Sequence, residues 1–435
     1  MTDQRELDRI LGAFFVDGTD ELADRVIEAA LHQIDHTRQR PALRLPRRFP
    51  TMTMPMRIAA VIAIMVIAAG GAYYLTRTTQ PSIGGPNPTP SSSALPSAVA
   101  PASAWIAAPS MAEARTDFAA TLLPDGRVLV VGGRNPARIL ASAELYDPTT
   151  GQWTNAGTMS RARVVPTATL LANGKVLVVG GAGADLYDPA ANTWAKTGTT
   201  TQLRDQHAAV LLSDAKVLVA GGNPDTTLGT AEIYEPATGT WTSTGNMTAW
   251  RASETLTLLD DGRVLAVGGF TSQPDPTTSA EIYDAATGKW VATASMSHGR
   301  VDGQTATRLS SGKILVTGDA TSTAELFDPV TEAWTSVGKL GEAMGGQTAT
   351  TLTNGRVLFA GGVGASGAGV TSAEVYDPVA GTFTAIVPMP EARISGQAVR
   401  LRDGRVLIAG GIDKNSNDGT GALKTAVIYD PAVSN

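Results

Sequence analysis

The chain has no cysteine in its 435 residues. That excludes a disulfide, a thiolate metal site and a cysteine nucleophile, while leaving the redox compartment open. Aromatic residues make up only 5% and charged residues 17%. The balance of charge is acidic, −6, so there is no excess of basic residues to neutralise phosphates, and nucleic-acid binding is excluded. Histidine is scarce too, with four in the whole chain. Glycine, by contrast, is abundant at 46 residues, the mark of a turn-rich β protein rather than a helical one.

Only one uncharged apolar run is long. Residues 58–75 read "IAAVIAIMVIAAGGAYYL", 18 residues bounded by Arg57 and, after Thr76, Arg77, with Tyr73 and Tyr74 at one end. This predicts a transmembrane helix over 57–76, with the tyrosines at the interface. A cleaved signal peptide is excluded by its late position. Arg38, Arg40, Arg44, Arg47, Arg48 and Arg57 crowd the N-terminal flank, so the positive-inside rule places residues 1–56 in the cytoplasm and the rest outside. The expected location is the plasma membrane, crossed once. Within 1–56, Leu7, Ile10, Leu11, Phe14 and Phe15, then Leu22, Val26, Ala30 and Ile34, recur at helical spacing. A short helical segment, able to hold a cytoplasmic protein partner, is expected there. Residues 77–102 are rich in proline and serine and form an extended linker.

Beyond the linker the sequence repeats. Glycine pairs stand at 132/133, 180/181, 221/222, 268/269, 361/362 and 410/411, with Gly318-Asp319 in the fifth place. Their spacings are 48, 41, 47, 50, 43 and 49 residues, a period of radial or solenoid repeats. Each unit holds four short runs of β-formers, such as "AATLL", "RVLVVGG", "AELYD" and "WTNAG" in the first. Asp125-Gly126 and its counterparts predict two-residue hairpins between the first two strands. Turns such as "DPTTG" join the last two. Seven residues separate Tyr146 from Trp153, and the same interval recurs in five further units, which predicts aromatics packed between sheets.

Between the glycine pair and strand three lie 9, 2, 8, 10, 4, 10 and 14 residues. Apart from one residue near Arg300, this loop absorbs all the length variation. The last unit lacks a Trp strand, and "WIAAPSM" at 105–111 supplies the missing one. An all-β, seven-bladed propeller over 103–435, closed by its N-terminal strand, follows.

The glycine pair, the Tyr-Asp-Pro-x-x-Gly-x-Trp interval and the arginine after the methionine resemble the kelch-repeat family. The resemblance covers about 103–435 and implies a binding platform more often than an enzyme. Alternating strand direction puts the variable loops and the interblade crossovers on one face, where binding is expected. Candidate residues there are Trp250, Arg115, Arg204, Arg251, Arg300, Asp117, Asp205, His207, Glu254 and Asp302. The arginines read in two ways: as bonds to carbonyls of the next blade, or as a ring of donors at the channel mouth. Trp250 either packs in a loop or stacks on a sugar or a partner side chain.

The expected ligand is an extracytoplasmic protein or glycan, and no cofactor is expected. The propeller is also similar to the central domain of galactose oxidase, whose copper–radical site uses a Tyr cross-linked to Cys, a second Tyr and two His. This chain has no Cys, and its propeller tyrosines occupy the repeat register. His207 and His298 are its only propeller histidines. No sialidase-type Asp box occurs, whereas a carboxylate-pair hydrolase stays open. His32 and His36 lie four apart and read as a metal pair or, more simply, as solvated side chains. The layout of tail, span and outer domain also looks like that of membrane-bound anti-sigma regulators, without their His-x-x-x-Cys-x-x-Cys motif.

Overall fold

A computed structural model describes residues 104–433, except 182, 223–228, 272–276, 302, 319–321, 343–344, 365 and 415–418. The expected helical segment 1–56, membrane span 57–76 and linker 77–102 lie outside the described residues. Among those described there is no helix, and hence none long and apolar enough to cross a membrane. The described residues lie in one compact unit.

That unit contains seven antiparallel four-stranded sheets, and each expected set of four runs becomes one sheet. In blade 1 the strands are Ala119–Leu122, Val128–Val131, Ser142–Asp147 and Gln152–Thr158. First strands touch those of their neighbours all the way round, including the first with the seventh, so the sheets close into a propeller around a channel. Trp105–Ala108 pairs with Ala426–Tyr429 and completes the seventh blade. Second strands are buried along their whole length, as the apolar runs ending in Gly-Gly require.

The aromatic interval is a cross-strand pair. Tyr146 faces Trp153 with ring centroids 5.1 Å apart, and Trp105 faces Tyr429 at 5.0 Å. These rings pack into clusters that straddle neighbouring blades, such as Leu129, Val131, Val176, Val178 and Tyr187. The indole N–H crosses the seam as well: Trp194 donates to Ala156 O at 2.7 Å, and Trp105 to Val387 O at 2.7 Å.

The first hairpin differs from the expected two-residue turn. Leu123 N–H donates to Arg127 O and Gly126 N–H to Leu123 O, which leaves a three-residue loop. Only its last residue has a positive φ, 91° at Gly126 and 67° at Ala215. The acidic residue serves a different purpose from the one inferred, accepting the N–H two positions on, as Asp125 Oδ1 does from Arg127.

Candidate functional site

Two kinds of segment share the variable face: the loop after each glycine pair and the crossover that enters the next blade. The glycines let them touch. Gly221 and Gly222 have φ of 67° and 87°, and a Cβ there would fall 2.6 Å from Arg251 O and 2.7 Å from Asp205 O. Gly222 N–H donates to Arg251 O, and Gly133 N–H to Arg163 O, so each crossover is sewn to the blade it leaves.

Each crossover arginine then reaches into the blade it enters. Arg115 Nη1 donates to Gly132 O (3.0 Å) and Ser142 O (2.9 Å), and Nη2 to Ser142 Oγ (3.0 Å) and Glu144 Oε1 (3.0 Å). Arg204 repeats the pattern on Gly221 O, Thr230 O, Thr230 Oγ1 and Glu232. Arg251 repeats it on Gly268 O, Ser279 O, Ser279 Oγ and Glu281. Arg300 holds Gly318 O, Thr323 Oγ1 and Glu325. All four are 0% exposed, so the guanidinium groups bond to the next blade and present no ring of donors to a ligand. The carboxylates that receive them come from the "Ala-Glu" of strand three, which recurs at constant register in these blades.

Two residues past each arginine the backbone turns left-handed. Asp117, Val165, Gln206, Ser253 and Ser395 have φ between 48° and 60°. Gly346 holds the same place in blade 6, and Gly303 does so one position late, after the extra residue beyond Arg300. Val165 N–H donates to Asp117 O, Ser253 to Gln206, Gly346 to Gly303 and Ser395 to Gly346, lacing the channel mouth. A β-branched residue such as Val165 is strained in this region.

The channel holds a cavity of about 880 Å³ at this end, lined from all seven blades, with Asp117, His207, Glu254, Gln304 and Gln397 among its polar residues. His207 is 5% exposed, and its Nε2 lies 3.0 Å from Thr167 Oγ1. Burial, helped by the Arg204 guanidinium, pushes its pKa down to about 3. Glu254 is 6% exposed with neither carboxyl oxygen hydrogen-bonded, and burial pushes its pKa up to about 8. Asp117 accepts from Arg134 Nε at 2.6 Å, and Asp205 is exposed. Trp250 is half-buried, apart from the residues that line the cavity. Asp302 lies outside the described residues. The cavity thus brings together Asp117, His207 and Glu254, but not Trp250 or the arginines.

The variable loops rise unevenly around the mouth. In blade 1, Arg134–Asn135 and Arg138–Ile139 form a small ribbon with Ile139 half exposed. The loops of blades 6 and 7 pair at Ala368 and Lys414, and Gly419 of blade 7 lies against Asn135 of blade 1. Together they build a wall on one side of the channel.

The family model of the Kelch motif matches residues 115–160 and 255–297. No curated protein matches the chain. Among solved structures it is similar to a novel fungal alcohol oxidase with catalytic diversity among the AA5 family, in complex with copper. The TM-score is 0.60 and the identity 18%, and the match covers 75% of each chain. At that identity the likeness speaks for the fold. Copper does not fit the residues here: among the described residues no three His, Cys, Asp or Glu gather to hold a metal. Tyr146, Tyr187, Tyr234, Tyr283, Tyr376 and Tyr429 are all buried in cross-strand aromatic pairs of their own blades. The chain carries matches to the Kelch motif on a seven-bladed β-propeller.

Proposed function

We propose that this chain is a membrane-anchored binding module whose propeller, held outside the cell, captures a protein or carbohydrate through its variable face. The reading rests on one observation. All seven blades share one frame, yet the loops on the cavity's side differ from blade to blade, while the turns on the opposite side are short and uniform. A rigid ring carrying free loops suits recognition better than chemistry. Residues 58–75 serve as the anchor, the linker as a spacer and residues 1–56 as a handle for a cytoplasmic partner.

The test uses the full chain in detergent, screened against glycan arrays and extracts of envelope proteins. A ligand is expected whose binding drops at least tenfold when the blade 1 ribbon is replaced by the two-residue loop of blade 2. Binding that is unaffected by changes to the ribbon, Trp250 and the blade 7 loop alike would move the site off this face.

A further inference from the structure

The residue after each glycine pair is a repeat position, and in six blades it is uncharged. It is Ala182, Asn223, Phe270, Ala320, Val363 and Ile412 in blades 2 to 7. In blade 1 it is Arg134.

The frame holds Arg134 on two sides. Its N–H donates to Thr116 O at 2.9 Å, and its carbonyl accepts from Thr116 N–H at 3.0 Å. Its Nε donates to Asp117 Oδ2 at 2.6 Å, and Asp117 is itself fixed in the left-handed region with φ of 53°. The guanidinium is therefore oriented through one edge alone. The crossover arginines spend their Nη groups on backbone carbonyls and carboxylates and are buried. Neither Nη of Arg134 donates to any group among the described residues, and the side chain is 31% exposed.

There is room in front of it. Arg134 and Asp117 line the channel-mouth cavity of about 880 Å³, within the size range of small-ligand sites. Val363 and Ile412, which hold the same repeat position in blades 6 and 7, line it too, with Ile394 bridged to Ile412. Half-buried Thr169, Gln206 and Gln397 add a hydroxyl and two amides from blades 2, 3 and 7. His207 and Glu254 are buried in the wall. Arg134 is thus the one lysine or arginine on the cavity's surface among the described residues.

We propose that the channel mouth binds an acidic sugar, a saccharide whose carboxylate sits on Nη1 and Nη2 of Arg134. The two terminal N–H groups of a guanidinium run parallel and match the two oxygens of a carboxylate. Asp117 already offsets the charge of Arg134, which suits a monoanion better than a phosphate dianion. The C–H face of the sugar ring lies against Val363 and Ile412, and its hydroxyls meet Thr169, Gln206 and Gln397. This inference rests on the variable face being the binding face and names the class of ligand it takes.

The probes are glucuronic acid, glucose, glucose 6-phosphate and a short peptide with a free C-terminal carboxylate. Each is titrated calorimetrically into the full chain in detergent. Glucuronic acid should bind saturably and roughly tenfold better than each of the other three. Arg134→Gln should lower its affinity by roughly ten- to hundredfold, the worth of a hydrogen-bonded charge. The melting temperature of that variant should stay within about 3 °C of wild type, because the pair with Asp117 is partly exposed. Arg134→Lys keeps the charge without the fork and should recover only part of the loss. No saturable binding of glucuronic acid by wild type, or undiminished binding by Arg134→Gln, overturns the proposal. Tighter binding of the phosphate or the peptide overturns it as well. A screened ligand that the ribbon exchange releases and Arg134→Gln does not would remove this anchor and leave the binding module standing.

Discussion

Glu254 is the residue whose neighbours most constrain its protonation. The same position in blade 5 is Gln304, whose Nε2 donates to Val267 O at 2.9 Å and to Ser253 O at 3.3 Å. Glu254 is buried with neither carboxyl oxygen hydrogen-bonded, and this desolvation outweighs the nearby backbone N–H groups of Glu254 and Ala208 and pushes its pKa up to about 8. Arg251 and Arg204 pull the other way, but Glu281 and Glu232 already neutralise them. An unfolded carboxyl gives up its proton near 4.5, whereas the folded one keeps it to about 8. The stability Glu254 contributes is therefore complete below 4.5 and is lost as pH rises to about 8. His207 has the opposite sign: its contribution is complete above 6.5 and lost as pH falls toward 3. The two slopes oppose each other between 4.5 and 6.5, and Glu254 acts alone from there to about 8. Denaturant melts of wild type from pH 6.5 to 8 should show stability falling by up to about 1.4 kcal/mol per pH unit. Glu254→Gln should remove that slope, and a variant that keeps it would place the titration elsewhere.

At the scale of the element, the unit of construction is a crossover plus the glycine pair on each side. Arg251 gives its carbonyl to Gly222 of blade 3 and its guanidinium to Gly268, Ser279 and Glu281 of blade 4, tying two sheets with one side chain. Arg251→Met would leave Glu281, only 1% exposed, no longer paired. Leaving a buried charge uncompensated costs about 3–5 kcal/mol, which urea denaturation at neutral pH would read directly. A loss below about 1 kcal/mol would mean that water or a neighbour takes over the carboxylate.

These elements also mark how far the sequence could be read. The glycine pairs, the Tyr-to-Trp interval and the spare Trp105 strand repeat at fixed spacing, so they revealed the sheets, the pairing and the closure. The arginines repeated as clearly, but spacing alone could not say whether their ends met carbonyls or solvent. The left-handed turn stayed hidden because Asp, Val, Gln, Ser and Gly all occupy it, leaving no residue signature for a backbone conformation. His207 and Glu254 stand out in the sequence as titratable residues close after the crossover arginines. Their burial arises from packing across blades, which no single repeat contains.

For the whole molecule, ring closure depends on one four-residue strand. Trp105–Ala108 lies beside Ala426–Tyr429, from the far end of the domain, and completes the only blade assembled from both ends of it. Such a non-local contact forms at a high entropic cost and, once formed, removes two open edges. Trp105 contributes most of what this strand offers: a ring against Tyr429, an indole bond to Val387 O and a place in a cluster shared by blades 6 and 7. Trp241 makes the matching contacts in blade 3, on Tyr234 and Gly198 O, within a continuous chain. Trp105→Ala and Trp241→Ala should therefore each lower global stability by about 3–5 kcal/mol. They should differ in where the protein opens. Hydrogen exchange on the full chain should show protection lost first at Ala426–Tyr429 in Trp105→Ala, with blades 2 to 5 still protected, because an unlatched ring can open at its seam before the other blades unfold. In Trp241→Ala the seam should stay protected until global unfolding. Equal loss in every blade of Trp105→Ala would mean that the ring melts as one unit and that the N-terminal strand is not its latch.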